Sequence, residues 1–233
     1  MNNSDRTGLE LVHRVLPPRA GNPGKAPTLL LIHGRGADQF DLLSLADQLD
    51  PRLLVLSVRA PFPLGPGYHW YDLTEIGEPE PHSFATSFAS LRRFITTAVA
   101  SHNIDPNRVF LLGFSQGAVM SSAVLLTEPS TSAGTVLLSG YLPLRSGLAI
   151  DEAALRGQPV FLAHGACDSV IPVEFGRESR HYLTKVGADL TYREYPIAHQ
   201  IGAVELADIS RWLTNRIDAA SGEVGSERLE TSH

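Results

Sequence analysis

The chain has 233 residues, a single cysteine, and a formal charge of −6 from 19 Lys+Arg and 25 Asp+Glu. That length suits one α/β domain with a sizeable core, and an acidic chain without a basic cluster argues against nucleic acid as a partner. Cys167 alone excludes an internal disulfide and fits a reducing, cytoplasmic setting. The apolar runs are too short to span a bilayer, and "MNNSDRTGLE" lacks the pattern of a signal peptide. Composition leaves a homodimer open.

In chain order, "LELVHRVLPP" predicts an antiparallel edge strand. "TLLLIHG" (Thr28–Gly34) and "LLVLSVRA" (Leu53–Ala60) are continuous apolar runs, the pattern of strands covered on both faces. Pro61 to Pro81 reads as one long irregular segment rich in glycine, proline and aromatics. Its aromatic content predicts a packed functional loop whose Phe62, Leu64, Tyr68, Trp70 and Tyr71 wall a substrate groove. A helix follows, with Phe84, Phe88, Leu91, Ile95 and Val99 on one face. Asp105-Pro106 breaks the chain before the strand "RVFLLG", and "QGAVMSSAVLL" is a short helix of small residues able to lie close to a sheet. "TVLLSG" and "PVFLAHG" are strands, a helix runs from about Glu174 to Val186, and "LTYREYP" reads as an edge strand. The last helix places Ile201, Val204, Ile209, Trp212, Leu213 and Ile217 inward. This alternation predicts a mostly parallel central sheet with helices on both faces. No linker divides the chain, so residues 1–218 are expected to form one domain and the polar residues 219–233 a frayed tail.

In open parallel sheets the working crevice lies outside the carboxyl ends of the strands. Four such ends here carry "HGRGAD", "GFSQG", "HGACDSV" and "AHQ". Ser115, between Gly113 and Gly117 at a strand-to-helix turn, has the setting of an exposed nucleophile. A serine hydroxyl needs a base to take its proton and a carboxylate to fix that base's tautomer. His199, on the turn before the last helix, is the expected base, and Asp168, in the turn after "FLAHG", the expected acid. The order Ser, acid, His supports both. His33 and His164 come too early for that order and are assigned structural roles. Asp151 and Asp189 do not sit at strand carboxyl ends, and Glu174 reads as an N-terminal helix charge. Cys167 has no separate base and reads as a small buried filler. The oxyanion of acyl transfer needs two donors: the backbone N–H of Gln116 is one, and that of Arg35, flanked by Gly34 and Gly36, the other. No metal-ligating pattern is present, and no cofactor is expected.

At these residues the chain resembles the phospholipase/carboxylesterase family of α/β-hydrolases, the group that includes acyl-protein thioesterases. The likeness runs through "LLLIHGRGAD", "GYHWYDL", "DPNRVFLLGFSQGAVM", "PVFLAHGACDSVIP" and "YPIAHQI". It implies a small hydrolase with little or no cap, a shallow acyl groove and no metal. By the same resemblance Ser115, Asp168 and His199 form the triad, Arg35 and Gln116 the oxyanion hole, and Trp70-Tyr71-Asp72 an aromatic stretch beside the groove. Gly117-Ala118 stands where the family commonly has paired glycines, and Ser115 argues against dienelactone hydrolases, which use cysteine. The expectation is a carboxylesterase for apolar acyl groups of short to medium length, acting on a small ester. Acyl-thioester or lysophospholipid hydrolysis, and a non-catalytic binding module on the same fold, are the alternatives.

Overall fold

A computed structural model describes residues 11–21 and 24–226. Its centre is a seven-stranded sheet. The members are β1 (His13–Leu16), β2 (Ala26–Ile32), β3 (Leu54–Val58), β8 (Ile104–Phe114), β9 (Gly134–Leu138), β10 (Pro159–Gly165) and β11 (Asp189–Tyr195). Two hairpins, β4 (Phe62–Leu64) with β5 (Gly67–His69) and β6 (Leu73–Glu75) with β7 (Glu78–Pro79), lie between β3 and β8. The helices are α1 (Pro81–Ser101), α2 (Gln116–Thr127), α3 (Val173–Lys185) and α4 (Ala203–Ser226). Strand order is β1-β3-β2-β8-β9-β10-β11, with β1 antiparallel to β3 and the other pairs parallel.

Period-two alternation explains why the central strands read as unbroken apolar runs. Leu30 and Ile32 of β2 and Val109 and Leu111 of β8 face one core cluster, with Phe84, Leu91, Phe94 and Ile95 of α1. Leu29, Leu31, Phe110 and Leu112 face the other, where Ile209, Trp212, Leu213 and Ile217 of α4 cover the sheet. A tightly wound helix at Asp41–Gln48 contributes Leu42 and Ala46 to that second layer. A third cluster joins α2 and α3 through Leu125, Leu126 and Leu183 over Val160 and Leu162 of β10.

Several expectations are corrected. Pro61–Pro81 is not irregular: the two hairpins organise it. Val204 is 69% exposed, and Leu206, two residues on, is buried in its place. Asp105-Pro106 does not end a strand. Pairing jumps from Ala26↔Ile104 to Thr28↔Val109, and Asp105 ties the bulged residues by accepting from Asn107 N–H and Arg108 Nε. The last helix continues past residue 218 to Ser226, and residues 227–233 of the expected tail lie outside the described residues. The connection from β9 to β10 carries no helix. With no insertion large enough to form a cap, the sheet and its helices make a single-domain α/β-hydrolase fold.

Candidate active site

The turn after β8 bends so sharply that Ser115, a non-glycine residue, holds φ 55° and ψ −121°. Few L-residues adopt such a conformation, and it persists only where the surroundings enforce it. Here the enforcement is close packing. A Cβ on Gly117 would lie 1.9 Å from the Ile32 carbonyl oxygen, and one on Gly113 would lie 2.2 Å from the Gly117 carbonyl oxygen. Both positions therefore require glycine, and α2 starts directly over the end of β2. Ser115 N–H donates to Leu138 O at 2.9 Å, tying the bend to β9.

Parallel pairing of β10 with β11 aligns Gly165 with Tyr195, so the loops leaving these strands run side by side. Backbone bonds zip them together, Ala166 N–H to Tyr195 O at 2.7 Å and Cys167 N–H to Ile197 O at 3.0 Å. A Cβ at Gly165 would meet Ala198 O at 2.4 Å, so this approach also needs glycine. The zipper brings Asp168 and His199 together: His199 Nδ1 lies 2.6 Å from Asp168 Oδ2, and His199 Nε2 lies 2.9 Å from Ser115 Oγ. Asp168 Oδ1 is held by the N–H groups of Val170 and Ile171 at 2.8 and 2.9 Å. With its carboxylate buried and anchored, Asp168 accepts from Nδ1–H, which leaves the Nε2 lone pair facing the serine. The His199 ring also packs on Phe114, centroids 4.8 Å apart.

Gln116 opens α2, and its N–H is among the donors a helix start leaves without an internal acceptor. Arg35 is exposed at the turn after β2. The peptide carrying its N–H is aimed by His33, whose Nδ1–H donates to Gly34 O at 2.6 Å. A trans peptide is planar, so fixing that oxygen fixes the opposite N–H. His33 Nε2 accepts from Ala60 N–H at 3.0 Å, so the ring is a neutral tautomer, and burial holds its pKa below the usual value. His164 donates from Nε2 to Ile171 O at 2.8 Å, steadying the turn that carries Asp168, and burial lowers its pKa too.

Other expected site residues are placed differently. Trp70 and Tyr71 are 0% and 1% exposed, so their rings belong to the core and wall no open groove. Trp70 Nε1 donates to His33 O at 2.9 Å, and the Tyr71 hydroxyl meets that of Tyr141 at 3.1 Å. Tyr68 is half-buried with the Arg59 guanidinium over its ring at 4.2 Å. Cys167 is exposed, not a buried filler. Among the described residues no group of His, Cys, Asp or Glu is arranged to hold a metal ion, and no helix is long and apolar enough to cross a membrane.

The phospholipase/carboxylesterase family model matches residues 19–217 of this chain. The chain belongs to that family. An acyl-protein thioesterase 1 of Debaryomyces hansenii is 28% identical over 226 residues, covering 88% of this chain and 97% of the relative. A carboxylesterase structure from Mesorhizobium loti superposes with a TM-score of 0.79 at 25% identity, covering 89% of this chain and 96% of that one. One from Bacillus cereus, at 24% identity and TM-score 0.80 over 90% and 96% of the two chains, shares the fold. The family's chemistry is serine-dependent cleavage of carboxylic esters and thioesters, and membership implies such an activity here.

Sequence reasoning missed Glu205. It sits in the first turn of α4, is 1% exposed, and accepts from Gly202 N–H at 3.1 Å, holding the turn after His199. Burial pushes its carboxyl up to about 7 from an ordinary 4.5. Between those values the folded protein keeps a proton that the unfolded chain releases, so stability falls as pH rises from about 4.5 to about 7. Glu205→Gln keeps an acceptor for Gly202 and removes the buried charge. At pH ~8 the variant is expected to be more stable than the parent, by about 3 kcal/mol at most. Near pH ~4.5 the two should unfold alike. Thermal melts at both pH values check this, and a gap that does not change with pH would refute it.

Proposed function

We propose that this protein is a carboxylesterase that cleaves apolar esters of short to medium acyl length through an acyl-serine intermediate. The observation that carries the reading is His199 bonded on one side to Ser115 and on the other to Asp168. In the proposed cycle Ser115 Oγ attacks the ester carbonyl while His199 Nε2 takes its proton. The N–H groups of Arg35 and Gln116 receive the oxyanion. Collapse expels the alkoxide, which leaves as the alcohol with the proton from His199, and a water then repeats the sequence on the acyl-serine. Asp168 stabilises the imidazolium in both halves.

The length preference no longer draws support from Trp70 and Tyr71. It rests on the absence of a cap and on the folding of residues 61–80 into short hairpins. A cavity of about 350 Å³ is lined by Ile76, Tyr141, Leu142, Leu144 and Phe175 together with the charged Glu75, Glu78, Arg145 and Glu178. Tyr141, which lines it, follows Gly140, where a Cβ would lie 3.1 Å from Ser115 O. The cavity's size suits a modest group, and its charged rim leaves only the Ile76, Leu142, Leu144 and Phe175 side for an apolar one. The thioesterase alternative is favoured by the near-full-length match to a protein named acyl-protein thioesterase 1.

The test compares kcat/KM over p-nitrophenyl esters from acetyl to palmitoyl with a matched acyl-thioester series. A maximum at short or medium acyl esters is expected. A steady rise to palmitoyl, or a thioester preference that survives correction for leaving-group reactivity, would replace this reading with the thioesterase one.

A further inference from the structure

The segment Tyr68–Tyr71 touches both sides of the proposed oxyanion hole. On the Arg35 side, Gly36 N–H donates to Tyr68 O at 2.7 Å and Tyr68 N–H donates to Ala37 O at 2.8 Å, which pins the chain just after Arg35. Trp70 Nε1–H donates to His33 O at 2.9 Å, which pins it just before. On the Gln116 side, the amide of that residue grips the same segment: Oε1 accepts from Trp70 N–H at 3.0 Å and Nε2 donates to Tyr71 O at 2.8 Å. Ser87 Oγ of α1 closes the back by donating to Trp70 O.

The bonds made by the Trp70 and Gln116 side chains are dry, with His33 and Trp70 at 0% exposure and Gln116 at 3%. Hydrogen bonds in such surroundings are strong and geometrically strict. Close approach is enforced as well, because a Cβ on Gly67 would lie 1.9 Å from Gly36 O. The two expected donors sit on different elements, one at the end of β2 and one at the start of α2. Gly117 packs against the Ile32 and His33 carbonyls, and the segment adds directional hydrogen bonds to that packing from both sides.

We infer that Tyr68–Tyr71 is a splint that sets the spacing between the Arg35 and Gln116 N–H groups, with the Trp70 indole and the Gln116 carboxamide as its positioning residues. This rests on the esterase reading above. Neither side chain touches the reacting atoms. Their effect is transmitted through the backbone donors, so it falls on the tetrahedral state, where the oxyanion exists, and spares the ground state. The conversion of an expected groove wall into a buried brace also explains why Trp70 carries an indole with a bonded N–H where packing alone would accept any large ring.

The experiment uses Trp70→Phe and Gln116→Met in the full chain, with active sites counted by fluorophosphonate titration. For each, kcat per titrated site is expected to fall ~10–100-fold, from a displaced or reoriented donor. KM should stay within about twofold, as for an interaction made only in the transition state. Affinity for an arylboronic acid, whose adduct with Ser115 mimics the tetrahedral state, should fall by the same factor as kcat. A merely structural role would lower the melting temperature and the titratable fraction but leave kcat per site and boronate affinity at parental values. That result in both variants overturns the splint. If Trp70→Phe fails to fold, incorporation of benzothienylalanine at position 70, which keeps the shape and deletes the N–H, decides the same question. A parent protein without ester turnover refutes the esterase reading, whereas parental turnover with unaffected variants refutes the splint alone.

Discussion

Ser115→Ala is expected to fold like the parent and to lose ester turnover by on the order of 10⁴–10⁶-fold. Folding should survive because the Ser115 side chain makes its one recorded hydrogen bond to the half-buried His199, not to the core. The strained backbone at φ 55° is held by Gly113, Gly117 and the Leu138 carbonyl, and alanine inherits it with the same Cβ. Chemistry should not survive, because no other nucleophile stands at His199 Nε2. Exposed Cys167 lies in the loop that carries Asp168, while the atom bonded to His199 Nε2 is Ser115 Oγ. The measurement is burst-phase release from an activated ester together with labelling by a fluorophosphonate. Both should vanish, while the melting curve stays near that of the parent. Turnover close to the parental rate in the purified variant would end the serine mechanism.

Asp168→Asn should cost about 10⁴-fold in kcat, and the reason is orientation more than charge. The Asp168 carboxylate uses Oδ1 to accept from Val170 and Ile171 N–H and Oδ2 to accept from His199. An asparagine must keep its oxygen toward the two backbone donors, since turning its NH₂ there would set donor against donor in a buried site. Its NH₂ then faces His199 Nδ1. The ring is forced to carry its proton on Nε2, where it can no longer take one from Ser115. Fold and ground-state binding are preserved, so KM should change little. A loss smaller than about tenfold would mean that another group orients the imidazole.

The order of elements was legible from sequence for a physical reason. Strands buried on both faces are apolar at nearly every position, as in "LLLI" and "VFLL", and such runs stand out between polar turns. Ser115 was legible because the close approach of α2 to β8 demands glycine at 113 and its approach to β2 demands glycine at 117, which leaves a pattern in the chain itself. The interior of the 61–81 segment was not. Aromatic residues in a loop satisfy either a groove wall or a core. What decided for Trp70 and Tyr71 was the Gln116 amide and the His33 carbonyl, contributed by distant elements. Leu206 is buried and Val204 exposed because Leu206 precedes buried Leu213 by about two full helical turns, whereas Val204 falls on the opposite face. Glu205 carried no signal at all, since a glutamate at a helix start is ordinarily solvated.

By itself, then, the sequence determined which residues could do chemistry and at which strand ends they stand, because strand burial, glycine-enforced turns and the order Ser, acid, His are local properties of the chain. Tertiary structure alone decided their distances. His199 lies 31 positions from Asp168 and 84 from Ser115, and only the parallel register of β10 on β11, zipped beyond Gly165 and Tyr195, brings the three within hydrogen-bond reach. Tertiary structure also decided that Trp70 braces the site from within, because the partners of a buried polar group are set by what the fold packs against it, and no local pattern encodes that.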